Sequence, residues 1–129
     1  MKLKVEIDPV EVLNCKFDSK FYQQDIISSH ELKPELMVDE EGITNGILFT
    51  LEIRQESKLG LFLIYQAQVK MYLEIEKLQF VIFLQLMEHS QKLCVDEFHQ
   101  LLLPDKYDAL PVFEIDLAEA ERIFATFWR

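Results

Sequence analysis

Ile43-Thr-Asn-Gly-Ile-Leu-Phe-Thr-Leu-Glu-Ile-Arg-Gln-Glu-Ser-Lys-Leu-Gly-Leu-Phe-Leu-Ile-Tyr-Gln-Ala-Gln-Val-Lys-Met-Tyr-Leu-Glu-Ile75 is the stretch on which the fold turns. Two alternating runs flank one polar turn. In the first, Ile47, Phe49, Leu51 and Ile53 share a face, and Leu48, Thr50, Glu52 and Arg54 share the other. In the second, Leu61, Leu63, Tyr65, Ala67, Val69, Met71, Leu73 and Ile75 lie opposite Phe62, Ile64, Gln66, Gln68, Lys70, Tyr72 and Glu74. A period of two is the signature of a strand with one buried face. Residues 55–60, with Gly60 at the end, supply the hairpin turn. The second arm would reach roughly 50 Å at about 3.3 Å per residue. Strands usually run about five or six residues, so this arm either bends midway or serves a larger sheet.

Upstream of the hairpin, residues 2–7 alternate, with Leu3, Val5 and Ile7 on one face, until Asp8-Pro9 interrupts. Proline cannot donate to a ladder, so this point is a bulge, a bend or an edge position. Val10 and Val12 then alternate, after which Leu13, Cys15 and Phe17 take over. That change of parity predicts a second irregularity near Asn14. Residues 18–30 are polar and mixed, and read as a loop with a short helical turn around residues 21–26. Residues 32–38 form a short strand that begins near Pro34. Asp39-Glu40-Glu41-Gly42 and Asn45-Gly46 both read as turns.

Downstream, the period changes at Glu76. Phe80, Phe83, Leu84, Met87, Gln91, Cys94, Phe98 and Leu101 recur at three and four residues, as on one side of a helix. No proline occurs from Glu76 to Leu103. A single helix over residues 76–103 would be about 42 Å long, with residues 88–90 as the place for a break and Pro104 as its end. Residues 78–87 are apolar on almost every side. A helix apolar all round is normally buried on several sides, which in a small domain suggests oligomerisation. Pro111 opens an extended connection through Val112, Phe113 and Ile115. Asp116 is a candidate N-cap for a last helix whose apolar side carries Leu117, Ala120, Phe124, Phe127 and Trp128.

Composition narrows the function classes. The 129 residues suggest one domain, residues 1–129, and half are hydrophobic, so a sizeable core can form. The formal net charge of -10 argues against binding the nucleic-acid backbone, which needs clustered Lys and Arg. It suits a soluble protein, or one whose partner is basic. Cys15 and Cys94 are the only cysteines and cannot make a disulfide framework; they read as ordinary buried or half-buried thiols of a reducing cytoplasm. The first residues lack the apolar core of a signal peptide, and residues 78–87 are too few to cross a bilayer. The expected location is cytoplasmic, without membrane insertion.

No catalytic constellation stands out, so the chain is expected not to be an enzyme. His89 and His99 are ten residues apart, which is not metal-binding spacing on a helix. Cys94 and His99 match one helix face poorly as nucleophile and base. Asp39, Glu40 and Glu41 lack the spaced oxygens of a calcium loop. Gly42, Gly46 and Gly60 are not grouped as in a phosphate cradle. No metal or cofactor is expected. What remains is surface: Leu48, Phe62, Ile64 and Tyr72 project from the more polar face of the hairpin. Together they mark either an interaction surface or a face covered by the N-terminal segment or a helix of the same chain.

The order of elements resembles the SecB-like export chaperones. Val10-Glu-Val-Leu-Asn-Cys-Lys-Phe-Asp18 is similar to that family's first strand, which ends in a phenylalanine and an acid. Leu32-Lys-Pro-Glu-Leu-Met-Val-Asp39 resembles the start of its second strand. Residues 47–54 and 61–75 resemble the third and fourth strands, and Pro111-Val-Phe-Glu-Ile-Asp-Leu117 with Phe124 and Phe127 the closing segment. The Leu-Phe-Pro-Tyr-type signature of the family's long helix is absent. Asn14 and Tyr65 stand where acids of the motor-binding surface are expected, while Asp18 fits one such position. The resemblance implies an α+β fold: a four-stranded antiparallel sheet, then a long helix, then a short C-terminal helix. It implies an ATP-independent chaperone or adaptor, a homodimer or homotetramer, holding an unfolded or extended polypeptide in an apolar groove between the sheet and the segment around the long helix. Phe49, Phe62, Tyr65, Phe80, Phe83 and Phe98 are the candidate groove residues, and Asp18 a candidate contact for a partner such as a translocase motor or a toxin–antitoxin component. Two other readings stand beside it. One is a dedicated partner of one folded protein, of the immunity or antitoxin type. The other is a small-molecule carrier or enzyme on a curved sheet.

Overall fold

The computed structural model describes residues 3–18, 20, 25–101 and 114–127. Alternation builds β4 (Thr44–Ser57) and β5 (Gly60–Tyr72), joined by a tight turn at Lys58 and Leu59. The turn is shorter than the polarity of residues 55–57 suggests, because their pairing with β5 continues up to Ser57 opposite Gly60. The Ser57 hydroxyl accepts from the Leu59 N–H at 3.1 Å, and Gly60 takes φ of 146°. The register sets Ile47, Phe49, Leu51 and Ile53 opposite Met71, Val69, Ala67 and Tyr65, and all eight are closed to solvent. The long second arm stops at Tyr72; a 3-10 turn (Ile75–Lys77) takes the chain off the sheet.

Among the described residues the sheet has five strands rather than four. Asp8-Pro9 divides the first expected strand into β1 (Glu6–Ile7) and β2 (Glu11–Phe17), and both pair antiparallel with the same edge of β5. The switch of parity within β2 is real: the register shifts between Val12 and Asn14. Val12 lies opposite Ala67, and Cys15 and Phe17 lie opposite Tyr65 and Leu63. Leu13, the extra residue, is 48% exposed. A bulge of this kind lets one strand bury even positions and then odd ones.

On the far edge, β3 (Ile27–Val38) pairs with β4 along its whole length. It is longer than the short strand expected, because residues 27–31 are all exposed, Ile27 included, and carry no alternation of buried apolar positions to read. They are strand through their backbone ladder to β4. Pro34 sits mid-strand, as an edge strand permits. The turn after β3 is built on Asp39, whose carboxylate accepts from the N–H groups of Glu41 and Ile43, both at 2.9 Å. Gly42 closes it with φ of 80°. Asn45-Gly46 is not a turn but the start of β4. Glycine is needed there for closeness: a Cβ on Gly46 would lie 2.2 Å from the Met71 carbonyl oxygen.

Helix α1 (Phe80–His99) is shorter than expected, runs unbroken through residues 88–90, and ends ahead of Pro104. It lays Phe83, Leu86, Met87, Ser90, Cys94 and Phe98 against the inner face of the sheet. Not every side is buried: Val81 is 59% exposed. Helix α2 (Leu117–Thr126) starts at Asp116, whose side chain accepts from the Ala118 and Glu119 N–H groups at 3.0 and 3.2 Å. It packs on α1 through Ala120, Phe124 and Phe127, with Phe124 and Phe127 at 5.3 and 5.4 Å from Phe83. The result is an α+β protein with a long and a short C-terminal helix beside an antiparallel sheet. Among the described residues no helix is long and apolar enough to cross a membrane. The expectations for residues 21–24, Pro104, residues 111–113 and Trp128 lie outside the described residues.

Candidate functional site

The six aromatic residues expected to line a groove fall into the interior instead. Phe49, Phe62, Tyr65 and Phe83 have no exposed surface, Phe98 has 1%, and only Phe80 is half-buried. Phe49 and Phe80 each lie 6.4 Å from Phe83, in the cluster that joins the sheet to both helices. Tyr65 meets Phe98 edge-on at 4.9 Å and donates its hydroxyl to the Cys94 carbonyl at 2.7 Å. Phe62 turns against Phe17 at 4.8 Å. The N-terminal strands extend the sheet beside β5, and Tyr72 donates across that seam to the Asp8 carboxylate at 3.2 Å. Leu48 and Ile64 are half-buried. Aromatic side chains at alternating positions were the strongest apolar signal in the sequence, and the core claimed them first.

Asp18 is committed locally. Its carboxylate accepts from the Lys20 N–H at 3.2 Å and pairs with the Lys20 ammonium at 3.5 Å. Cys94 is shut inside, and burial pushes its thiol up to about 12, with Glu97 adding to the effect. A thiol held protonated is a poor nucleophile. Burial also raises the Tyr65 hydroxyl and, more mildly, the half-buried Cys15.

A groove does exist, in a place the sequence reading did not name. It runs between β3 and α2, with a volume of about 530 Å³. Leu32 and Pro34 line it from β3, Met87 and Gln91 from α1, Ile115 from the approach to α2, and Ala120 and Ile123 from α2 itself. Pro34 and Ala120 are buried, and Leu32, Ile115 and Ile123 are half-buried. The position follows from the topology. Among the described residues β3 is the edge strand of the sheet, and α2, packed on α1, lines the groove with it.

The rim is charged. Glu31, Glu35, Glu114, Asp116 and Glu119 contribute five carboxylates against two fixed cations, Lys33 and Arg122. Lys33 pairs with Glu31 at 3.8 Å, and Arg122 with Glu119. Asp116 is occupied as the cap of α2. Glu35 and Glu114 have no cationic partner among the described residues. Among the described residues the groove is therefore lined by more carboxylates than cations. His30 stands at one end, its imidazole shifted downward by partial burial. These rim residues sit on a polar edge strand and in the approach to a short helix, where no periodic pattern singles them out. A comparison with protein-family models finds no match to this chain, and a comparison with curated proteins finds no significant relative.

Proposed function

We propose that this chain is an ATP-independent chaperone or adaptor of SecB type, and that segments of unfolded polypeptide lodge between β3 and α2. The observation that carries the reading is that groove: a solvent-open cleft beside an edge strand, where Leu32, Pro34, Met87, Ile115, Ala120 and Ile123 stand among charged side chains. Apolar side chains of an unfolded chain gain about 25 cal/mol per Å² when they leave water there. No particular partner shape is needed for that gain, which is what a holdase requires. The element order supports the same reading, since antiparallel strands are followed by a long and then a short helix. Exposed Val81 on α1 and Leu117 on α2, 59% and 60% accessible, offer apolar contacts for a homodimer or homotetramer. The groove differs from the aromatic site that the family resemblance implied, and Asp18, beside Lys20 and still 42% accessible, remains the proposed partner contact. The reading assigns no catalytic role: the Cys94 thiol is buried and protonated, while His99 lies on the surface.

The test is light scattering of a chemically unfolded, aggregation-prone protein diluted into buffer without nucleotide. Suppression near stoichiometric ratios, unmatched by an inert acidic protein, is the expected result. No suppression at large excess rejects holdase activity, and a strictly monomeric protein counts against the family reading.

A second reading has one observation in its favour. The net charge of -10 and the acidic rim suit a single folded, basic partner of an immunity or antitoxin-type adaptor. Tight, saturable binding to one such protein, with no effect on unfolded chains, would select it.

A further inference from the structure

We propose that Asn45 is a modification site: it loses its side-chain amide to the backbone nitrogen of Gly46, and the acid that results keeps the tip of the β3–β4 hairpin from closing again. The proposal is independent of the chaperone reading. It concerns the Asn-Gly pair that the fold uses as strand instead of turn.

The chemistry needs only the chain and water. The Gly46 nitrogen forms a bond to Asn45 Cγ, ammonia leaves, and a cyclic succinimide results. Glycine is the least hindering residue for this attack, because no Cβ stands beside the nitrogen. Water then opens the ring. Cleavage between the nitrogen and Cγ leaves aspartate. Cleavage between the nitrogen and the main-chain carbonyl carbon leaves isoaspartate, which carries an extra methylene in the backbone.

The fold fixes this reactive pair and leaves its amide loosely held. Gly46 cannot be exchanged, since a Cβ there would lie 2.2 Å from the Met71 carbonyl oxygen. Asn45 is the extra residue of a bulge: Met37 pairs with Gly46 and Val38 with Thr44, so no residue of β3 stands opposite it. Its Oδ1 is buried and accepts no hydrogen bond among the described residues, a burial that costs stability. While the hairpin is closed, Gly46 is held in register with Met37, so attack waits for the tip to open. Little resists that opening. Residues 38–43 are all exposed, Val38 and Ile43 among them. Segments with few buried contacts open at a lower free energy than the whole domain.

The products do not fit the closed tip. Aspartate sets a carboxylate oxygen in the buried position where Oδ1 already lacks a donor, and an unpaired buried charge is costly. Isoaspartate lengthens the chain between Thr44 and Gly46, where the Asn45 carbonyl accepts from the Leu73 N–H at 3.1 Å. Opening is reversible before the amide is lost and disfavours closure afterwards.

The experiment is peptide mapping by mass spectrometry of the wild-type protein held in mildly alkaline buffer, beside the same protein unfolded in urea. Acid accumulates at position 45 ahead of Asn14, the other asparagine, which is followed by Cys15. The folded protein reacts within about a thousandfold of the unfolded chain, because local opening suffices. A folded rate slower than that, the gap that global unfolding imposes, overturns the proposal. Reaction at Asn14 before Asn45 overturns it as well. Hydrogen exchange then compares fresh with fully converted protein. Faster exchange over residues 38–46 after conversion is expected, and unchanged exchange there overturns the effect on the tip. Asn45→Asp reproduces that effect without ageing: its folding equilibrium falls by about tenfold or more, and a urea midpoint equal to that of the wild type overturns it.

Discussion

At the scale of single residues, Tyr65 holds the centre of the molecule. Its hydroxyl reaches the Cys94 carbonyl, its ring meets Phe98, and its strand neighbours Ile53 and Cys15 flank it. Removing the hydroxyl with Tyr65→Phe leaves that carbonyl its helical bond and costs about 1 kcal/mol at neutral pH, read as a lower urea midpoint. The same groups set an alkaline limit. The Cys94 thiol titrates from a reference of 9.0 when unfolded but only near about 12 when folded. The folded state thus binds the proton more tightly, and stability declines as pH rises through that window. Tyr65 acts in the same direction above 10.0. Urea midpoints should fall steadily above about pH 9, and less steeply in Cys94→Ala. A wild-type profile flat across the window would contradict the buried, protonated thiol. The sequence marked Tyr65 as inward-facing by alternation, but its hydroxyl partner is a main-chain carbonyl of a distant helix, which no local pattern encodes.

At the scale of elements, the hairpin, the bulge in β2, the cap at Asp116 and the helix period were all legible, because each has a short-range cause. Strand alternation and 3.6-residue periodicity come from burial of one face, and both survive in the fold. Two elements were hidden for opposite reasons. The first half of β3 is exposed on both faces, so burial imposed no pattern on it. Asn45-Gly46 carries a turn-forming pair, yet β4 uses its glycine for space beside Met71. That contrast can be tested with Gly46→Ala. Its methyl would lie 2.2 Å from the Met71 carbonyl oxygen and 2.8 Å from Met37 Cε. The Met37 end can swing aside, but the β5 backbone cannot. A loss of about 1–3 kcal/mol is expected, typical of overpacking, measured by urea unfolding. Gly42→Ala relieves nothing and meets no atom, so its cost comes from the positive φ alone.

At the scale of the whole molecule, the charge of -10 is less informative than where it gathers. Reversing Glu35 and Glu114 to lysine takes the net charge from -10 to -6, two units for each substitution. Glu40→Lys with Glu41→Lys on the exposed turn after β3 produces the same total. If the groove rim recruits cationic segments, the first pair weakens a lysine-bearing peptide by about tenfold, and the second by about twofold or less. Equal losses from both would mean that only the overall field matters. The sequence disclosed the acidity but not its address, since the rim is assembled from β3 and α2, which are far apart in the chain. It also showed the wealth of aromatic residues without saying that one small core would use nearly all of those among the described residues.

The pairing of β1 and β2 with β5 also orders events during synthesis. Glu6 finds its partner in Tyr72, and Phe17 in Leu63. Ribosomes add about 5–20 residues per second, so the first strands wait roughly 3–10 s before the strand they join has been made. Through that interval Val10, Val12, Cys15 and Phe17 have no sheet to enter. For those seconds the nascent chain is itself an unfolded polypeptide with exposed apolar side chains, the kind of client its own groove is proposed to hold.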